Sequence, residues 1–189
     1  MTTEIKLSAR ERLLAAADGL FYAEGVQTVG IDRVIEHAGV AKASLYNTFG
    51  SKENLVQAYL EGRHRATMDW LRRAVDRYSE PTKRLLAIFD AQAELFADPG
   101  FHGCAFISAS AEAPDGGLIE HAANDYRTEI RGLLTDLSRD AGAAEPEVLG
   151  RQLQLLFDGA GLAARMDRNP DVAASAKAGA ALLIEAARS

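Results

Sequence analysis

Apolar residues recur every three or four positions along most of this chain, which is the spacing of amphipathic helices. The first such run extends from Ser8 to about Tyr22. Ser8 and Glu11 have the spacing of a capping box, and Gly25 lies just past the expected helix end. Alternating runs joined by hairpin turns, which are typical of strands, are scarce. The pattern therefore predicts an all-α fold.

The same periodicity predicts eight further helices. A short helix from Ile31 to Ala38 is closed by Gly39, and a second short helix covers residues 41–48. A long helix begins at Ser51 and continues to about Tyr78. Turn and proline residues, Pro114 and Asp115 among them, then separate helices at about 82–97, 103–112, 117–140, 147–167 and 171–187. We therefore expect about nine helices.

Residues 31–55 have the pattern of a helix-turn-helix. Two short helices are joined by a glycine turn, the second has a polar outer face, and a capped long helix follows. We therefore predict an N-terminal three-helix domain over residues 1–52 that binds DNA, and a C-terminal helical domain over residues 53–189 for ligand binding and dimerisation. The helix at 52–78 links the two.

The chain as a whole is acidic, with a formal net charge of −6. Any surface that binds DNA must therefore be local. Residues 37–52 contain two lysines, Lys42 and Lys52, and no carboxylate, so this window is suited to face phosphates. No run approaches the roughly 18 apolar residues of a membrane span, and the start MTTEIKLSARER lacks the apolar core of a signal peptide. We expect a cytoplasmic protein with no membrane partner.

The segment AGVAKASLYNTFGSKENL, residues 38–55, resembles the helix-turn-helix signature of the tetracycline-repressor (TetR) family. The resemblance lies in the AGV turn, the Leu-Tyr pair, the Phe and the Lys-Glu-x-Leu start of the next helix. It implies that helix 41–48 enters the major groove of an operator. It also implies base contacts from Lys42, Ala43 and Tyr46, phosphate contacts from Ser44, Thr48 and Lys52, and a contact of either kind from Asn47.

Two positions of this motif depart from what DNA reading needs. Where the family often has a hydroxyl residue that caps the second helix and touches phosphate, this chain has Gly30, which has no side chain to offer. Ala43 is too small to read much beyond a thymine methyl group. Direct readout is therefore expected to depend on few side chains.

Two C-terminal helices are rich in small residues and carry apolar stripes. These stripes are Leu149, Leu153, Leu156 and Ala160 on one helix, and Ala176, Ala180 and Leu183 on the other. Periodicity leaves open whether they face the core of the same chain or a second chain. The resemblance implies an intersubunit four-helix bundle, so we expect a homodimer on a near-palindromic double-stranded operator.

Aromatic residues are scattered through segments that need only Leu and Ala to pack. Ordinary core packing and a pocket for a small-molecule effector both explain them. Because they outnumber convergent charges, a ligand there is expected to be apolar or aromatic. The candidate pocket residues are Trp70, Phe89, Phe96, Phe106, Tyr126 and Phe157.

Other kinds of site find little support. His64, His102 and His121 lack partners at metal-ligand spacing, and no phosphate loop or nucleophile motif occurs. We expect no metal, no cofactor and no enzyme activity. Cys104 is expected to be a small buried thiol, with a redox role as the alternative. His37 lies at the end of its helix, and we expect it to cap that C-terminus, where positive charge is favourable.

The function predicted from these observations is a ligand-responsive DNA-binding transcriptional regulator, a repressor released from its operator by a small apolar or aromatic molecule. Two alternatives remain: a transcriptional activator, and a ligand-binding helical protein with a degenerate helix-turn-helix.

Overall fold

The computed structural model describes residues 7–113 and 116–188. All regular structure in these two ranges is helical, which confirms the all-α fold. The predicted turn at Pro114 and Asp115 lies outside the described residues. The helices are α1 (Ala9–Glu24), α2 (Ile31–Ala38), α3 (Lys42–Phe49), α4 (Lys52–Val75), α5 (Pro81–Phe96), α6 (Ala105–Glu112), α7 (Leu118–Asp140), α8 (Pro146–Asp167) and α9 (Val172–Ala186).

The helix ends agree closely with the sequence periodicity, and the largest difference is at the end of α4. The apolar pattern continues to Tyr78, but α4 ends at Val75. The backbone N–H of Tyr78 donates to the carbonyl of Val75 at 3.2 Å, so the chain continues as a tighter turn. Periodicity cannot distinguish such a turn from one more turn of α-helix.

The described residues divide into two compact units. The first contains the chain up to Arg63 together with Ala105–Ala123, and the second contains His64–Cys104 and the chain from Asn124 onward. Helices α4 and α7 each contribute residues to both units. The first unit thus includes the start of α4 and all of α6 in addition to residues 1–52, which we predicted as the DNA-binding domain.

In the first unit, α1, α2 and α3 pack on one another. Their buried contacts come from Leu13, Val34 and Leu45, each with no exposed surface. The predicted capping box at the start of α1 is present. The Ser8 hydroxyl accepts from the Glu11 N–H at 3.2 Å, and the Glu11 carboxylate accepts from the Ser8 N–H at 2.7 Å.

In the second unit, α5, α8 and α9 pack together. Helices α7 and α8 approach closely at Gly150, where an added Cβ would lie 2.4 Å from Thr135 Oγ1 and 3.0 Å from Thr135 Cα. Only a residue without a side chain allows this backbone approach. Across both described ranges, no helix is long and apolar enough to cross a membrane.

Candidate nucleic-acid interface

Helix α3 has one polar exposed face and one apolar buried face. Leu45 and Phe49, about one helical turn apart, are buried against the rest of the first unit. The opposite face exposes Lys42, Ala43, Tyr46 and Asn47. These four positions are spaced by three and four residues, so they share one side of the helix. That side is therefore free to approach a ligand as large as a DNA duplex.

The turn between α2 and α3 is positioned by Gly39 and by Arg12 of α1. Gly39 has φ 61°, a left-handed conformation that a side chain disfavours. Arg12 Nη1 donates to the carbonyls of Ala38 at 3.3 Å and Gly39 at 2.9 Å. A cation thus binds the C-terminal carbonyls of α2, where positive charge is favourable. We expected that role for His37, but the structure gives the contact to Arg12 and leaves His37 exposed.

The start of α4 is joined to α3 and α1. Asn54 Nδ2 donates to the carbonyl of Phe49 at 2.7 Å, and the Ser51 hydroxyl accepts from the Asn54 N–H at 3.1 Å, as expected for a cap. Further along α4, the Arg63 guanidinium donates twice to Asp18, at 2.6 and 2.9 Å, and stacks 3.7 Å from the centre of the Tyr22 ring. These contacts hold α4 against α1.

Lys42 forms an ion pair that the sequence did not indicate. Its Nζ donates to Asp32 Oδ1 at 2.8 Å, with both side chains largely exposed. The hydrogen bond and the charge of Asp32 raise the pKa of Lys42, so this lysine stays positively charged. The carboxylate-free window at residues 37–52 therefore folds next to a carboxylate from α2. No spacing rule links residues 32 and 42, because the turn at Gly39 brings them together.

The residues expected to meet phosphates differ in what they can donate. The Thr48 hydroxyl gives its only proton to the carbonyl of Ser44 at 2.6 Å. A phosphate accepts but does not donate, so Thr48 contacts one only if this bond is exchanged. Ser44 and Lys52 are partly exposed. Phosphate binding by side chains is therefore more restricted than the sequence motif implies.

The first turns of α2 and α3 lack side-chain caps. Gly30 and Ala41 occupy the N-cap positions, and neither has a side-chain hydrogen bond to the helix. Most backbone N–H groups of a first turn have no partner within their helix, and such groups bind anions well. In α3 the N–H of Ser44 already donates to the carbonyl of Ala41 at 2.9 Å. The missing hydroxyl at Gly30 is visible in the sequence, but these amides as phosphate donors are not, because every residue except proline carries one.

Of the six residues predicted to line a ligand pocket, four are buried in the second unit: Phe89, Phe96, Tyr126 and Phe157. Trp70, in the same unit, is partly exposed, and Phe106 is buried in the first unit. Burial and, to a smaller extent, Cys104 raise the pKa of Tyr126 well above its usual range, so its hydroxyl stays protonated. The Cys104 thiol, expected to be buried, is only partly buried.

A narrow crevice in the first unit is open to solvent and has a cavity volume of only about 10 Å³. It lies between α1, α4 and α6, with Tyr22, Val26, Tyr59 and Ser108 in its wall. None of the six predicted pocket residues lines it. The pocket predicted from the aromatic residues therefore stays a prediction.

The stripes predicted to form a dimer contact lie mostly within the core of the chain. Leu149, Leu153, Ala160, Ala176 and Ala180 are buried, and Leu156 and Leu183 are partly buried. Because α5 and α9 pack on α8, these side chains already have partners in the same chain. The largest exposed apolar side chains on α8 and α9 are others: Leu155, Leu162, Met166 and Leu182, which are 71%, 49%, 73% and 69% exposed.

Residues 13–59, which run from α1 through the recognition motif into α4, match the family model described as bacterial regulatory proteins, tetR family. Among curated relatives, the HTH-type transcriptional repressor KstR2 of Mycobacterium tuberculosis is 34% identical over 91 residues, covering 46% of this chain and 44% of KstR2. The chain thus spans less than half the length of KstR2. The HTH-type transcriptional repressor NemR of Escherichia coli K12 is 28% identical over 184 residues, covering 89% of this chain and 90% of NemR.

The likeness extends over the whole fold. The crystal structure of SCO4454, a TetR-family transcriptional regulator from Streptomyces coelicolor, matches with a TM-score of 0.90 and 32% sequence identity, covering 96% of each chain. Identity at this level over nearly the full length accompanies the specific match of the recognition motif. This chain belongs to the tetracycline-repressor family of bacterial transcriptional regulators.

Proposed function

We propose that this protein is a homodimeric repressor that binds a near-palindromic operator and is released from it by a small apolar or aromatic molecule. The observation that carries the DNA-binding part is the exposed polar face of α3, opposite buried Leu45 and Phe49. In a helix-turn-helix, the second helix enters the major groove with its exposed face, and α3 has that place in the motif. Lys42 is suited to a guanine edge and Tyr46 supplies a directed hydroxyl.

The homodimer is supported by the exposed apolar face of α8 and α9. Leu155, Leu162 and Met166 follow one another at spacings of seven and four residues, so they lie on one side of α8. Leu182 adds a large exposed side chain from α9, which packs on α8. A second copy with the same face would cover it in a self-complementary contact. The two α3 helices would then read half-sites about 34–36 Å apart.

The effector part of the proposal is supported by four buried aromatic side chains in the second unit, Phe89, Phe96, Tyr126 and Phe157. An effector releases the operator only to the extent that it binds the DNA-incompetent state of the dimer more tightly. Weakening of operator binding is therefore limited by that difference in affinity.

The DNA-binding part is tested by selecting random duplex DNA with the purified protein at two salt concentrations. We expect enrichment of a near-palindrome whose affinity falls steeply with salt. The double variant Lys42→Ala, Tyr46→Phe should bind this sequence about 100-fold more weakly, since each lost base contact costs about 1–3 kcal/mol. The variant Lys83→Ala, Tyr78→Phe changes an exposed lysine and an exposed tyrosine of the second unit and should bind normally.

Failure of the unmodified protein to enrich any sequence would contradict the proposal and favour a ligand-binding protein with a degenerate helix-turn-helix. The sign of regulation needs a separate measurement, because a bound regulator represses or activates according to where its operator lies. A reporter gene behind the selected sequence should fall in expression when the protein is present, and a rise would identify an activator.

A further inference from the structure

The second unit contains a buried glutamine among aromatic residues. Gln92 lies on α5 and is 3% exposed. Its Nε2 donates to the backbone carbonyl of Phe157 on α8 at 2.8 Å. A carbonyl oxygen only accepts, so the amino side of the amide must face Phe157. The orientation of the amide is therefore fixed, and Oε1 points away from this bond.

Gln92 Oε1 is buried, and no group in residues 7–113 or 116–188 donates a hydrogen bond to it. A buried acceptor without a donor is disfavoured by about 1–3 kcal/mol, and such groups are uncommon in folded proteins. A methionine would fill a similar volume and avoid that penalty. A role that only joins α5 to α8 accounts for Nε2 and leaves Oε1 unexplained.

The surroundings of this oxygen favour an aromatic ligand. Phe89 precedes Gln92 by three residues and Phe96 follows it by four, so both lie on the same side of α5. Both rings are buried, as is that of Phe157, the residue that Gln92 binds. The ring centre of Phe101 lies 4.9 Å from that of Phe96. Three of the six predicted pocket residues are therefore buried neighbours of Gln92, two by helix spacing and one through its backbone carbonyl.

Two carboxylates next to this cluster in sequence are already paired. Asp90 on α5 accepts from Lys177 on α9 at 2.6 Å, and Asp158 on α8 accepts from Arg127 on α7 at 2.6 Å. Neither carboxylate needs a cation from a ligand. A neutral molecule therefore fits this region better than an ion.

We propose that Gln92 Oε1 accepts a hydrogen bond from the effector, and that the effector is an uncharged aromatic molecule with one hydroxyl or N–H donor, of the phenol or indole kind. This inference rests on the effector part of the proposed function and narrows it. The aromatic side chains supply apolar contact, and Gln92 selects molecules that donate. A molecule of the same shape without the donor leaves Oε1 unsatisfied and binds more weakly.

The test uses two matched pairs of probes, indole with 1-methylindole and phenol with anisole, in which methylation removes the donor. Binding to the full-length protein is measured by titration calorimetry. Indole or phenol should bind about tenfold more tightly than its methylated partner, the value of one buried hydrogen bond. In Gln92→Met the two members of each pair should bind equally.

Gln154 provides the matched control. It is also a buried glutamine of the second unit, but both ends of its amide are used: Oε1 accepts from Arg131 at 2.7 Å and Nε2 donates to the carbonyl of Arg127 at 3.0 Å. Gln154→Met should lower the melting temperature and keep the preference for indole and phenol. Gln92→Met should melt close to the unmodified protein, since it removes an unsatisfied acceptor together with one bond.

The proposal is overturned if neither indole nor phenol binds, if each binds no better than its methylated partner, or if the preference persists in Gln92→Met. A crystal structure of the indole complex with a water donating to Oε1 would also overturn it. Operator selection without any probe separates the two proposals. Normal DNA binding with no preference among probes rejects only the role of Gln92, whereas a preference without DNA binding rejects only the repressor.

Discussion

Lys42 is both the strongest candidate for reading a base and a member of an ion pair. In the absence of DNA its ammonium contacts Asp32, 2.8 Å away on α2. DNA binding must either exchange this partner for a guanine edge or keep it as a support that orients the lysine. Under the proposed function, the carboxylate then lies on the surface that approaches the phosphates, where its charge opposes binding.

Removing this charge should strengthen binding to any duplex. We expect Asp32→Asn to raise affinity for a random duplex at low salt by about threefold to tenfold, because one negative charge leaves the interface. The measurement is fluorescence anisotropy across a salt series. The matched control is Asp136→Asn, which breaks an exposed pair with Arg139 in the second unit and should have no effect. Unchanged binding by Asp32→Asn would place α2 away from DNA.

Helix ends show how local chemistry positions an element. Glu80 is the N-cap of α5, and its carboxylate accepts from the N–H groups of Thr82 at 2.8 Å and Lys83 at 2.9 Å. The hydrogen bond from Thr82 is the largest cause that holds the pKa of Glu80 below its ordinary value of 4.5. Because the folded state prefers the ionised form, this contribution to stability is present above pH 4.5 and is lost as pH falls through the lowered pKa.

The variant Glu80→Gln should therefore melt about 2 °C lower at pH 7, since the neutral amide binds the helix start less strongly. The difference should shrink as pH falls below about 4.5 and vanish once Glu80 is protonated in both states. Melting curves followed by circular dichroism between pH 7 and pH 3 measure it. A difference that does not depend on pH would contradict the assignment. Glu53→Gln, an exposed acid in the first turn of α4, reports any general helix-start effect.

A second element-scale prediction concerns the contact between α7 and α8. Gly150→Ala should lower the free energy of unfolding by about 1–3 kcal/mol, because the new Cβ meets Thr135 Oγ1 and the backbone at Thr135 Cα. Adding Thr135→Ala to this variant should recover only part of the lost stability, because the close contact with the Cα of residue 135 remains. Urea denaturation measures both. The control is Gly132→Ala on α7, whose new Cβ meets no atom within 4 Å and which should raise stability by about 0.5–1 kcal/mol. A similar gain in Gly150→Ala would contradict the prediction and show that α7 and α8 separate easily.

The elements themselves were largely predictable from the sequence, because their signals are local. The Ser8–Glu11 capping box, the glycine that closes α2 and the prolines that begin α5 and α8 act within a few residues. The exposed face of α3 followed from the same periodicity. Pairings between elements were not predictable: Arg12 on the end of α2 and Asp32 on Lys42 depend on how helices cross. The apolar stripes that contain Leu153 on α8 and Ala180 on α9 were visible in the sequence. Periodicity does not say whether the same chain or a second chain buries them.

At the scale of the whole molecule, the exposed apolar face of α8 and α9 determines the expected assembly. Leu162→Glu should place a charge in the middle of this face and raise the dimer dissociation constant at least about 100-fold. Analytical ultracentrifugation should then detect monomers, and affinity for a palindromic site should fall to that of a half-site. Leu95→Glu, at a 38% exposed leucine of α5, should leave the dimer intact. If Leu162→Glu stays dimeric, the interface lies elsewhere.

The uncapped first turns of α2 and α3 have a consequence for how such a protein can evolve. Under the proposed function, backbone amides of the first turns that follow Gly30 and Ala41 supply part of the phosphate binding, and every residue except proline carries such an amide. Point mutations cannot easily remove it. They can, however, compete with it, because a serine or aspartate at either position would satisfy the amides from within the chain. Such substitutions at these two sites would lower the affinity for DNA and raise the stability of the fold, while the base-reading residues remain free to change specificity.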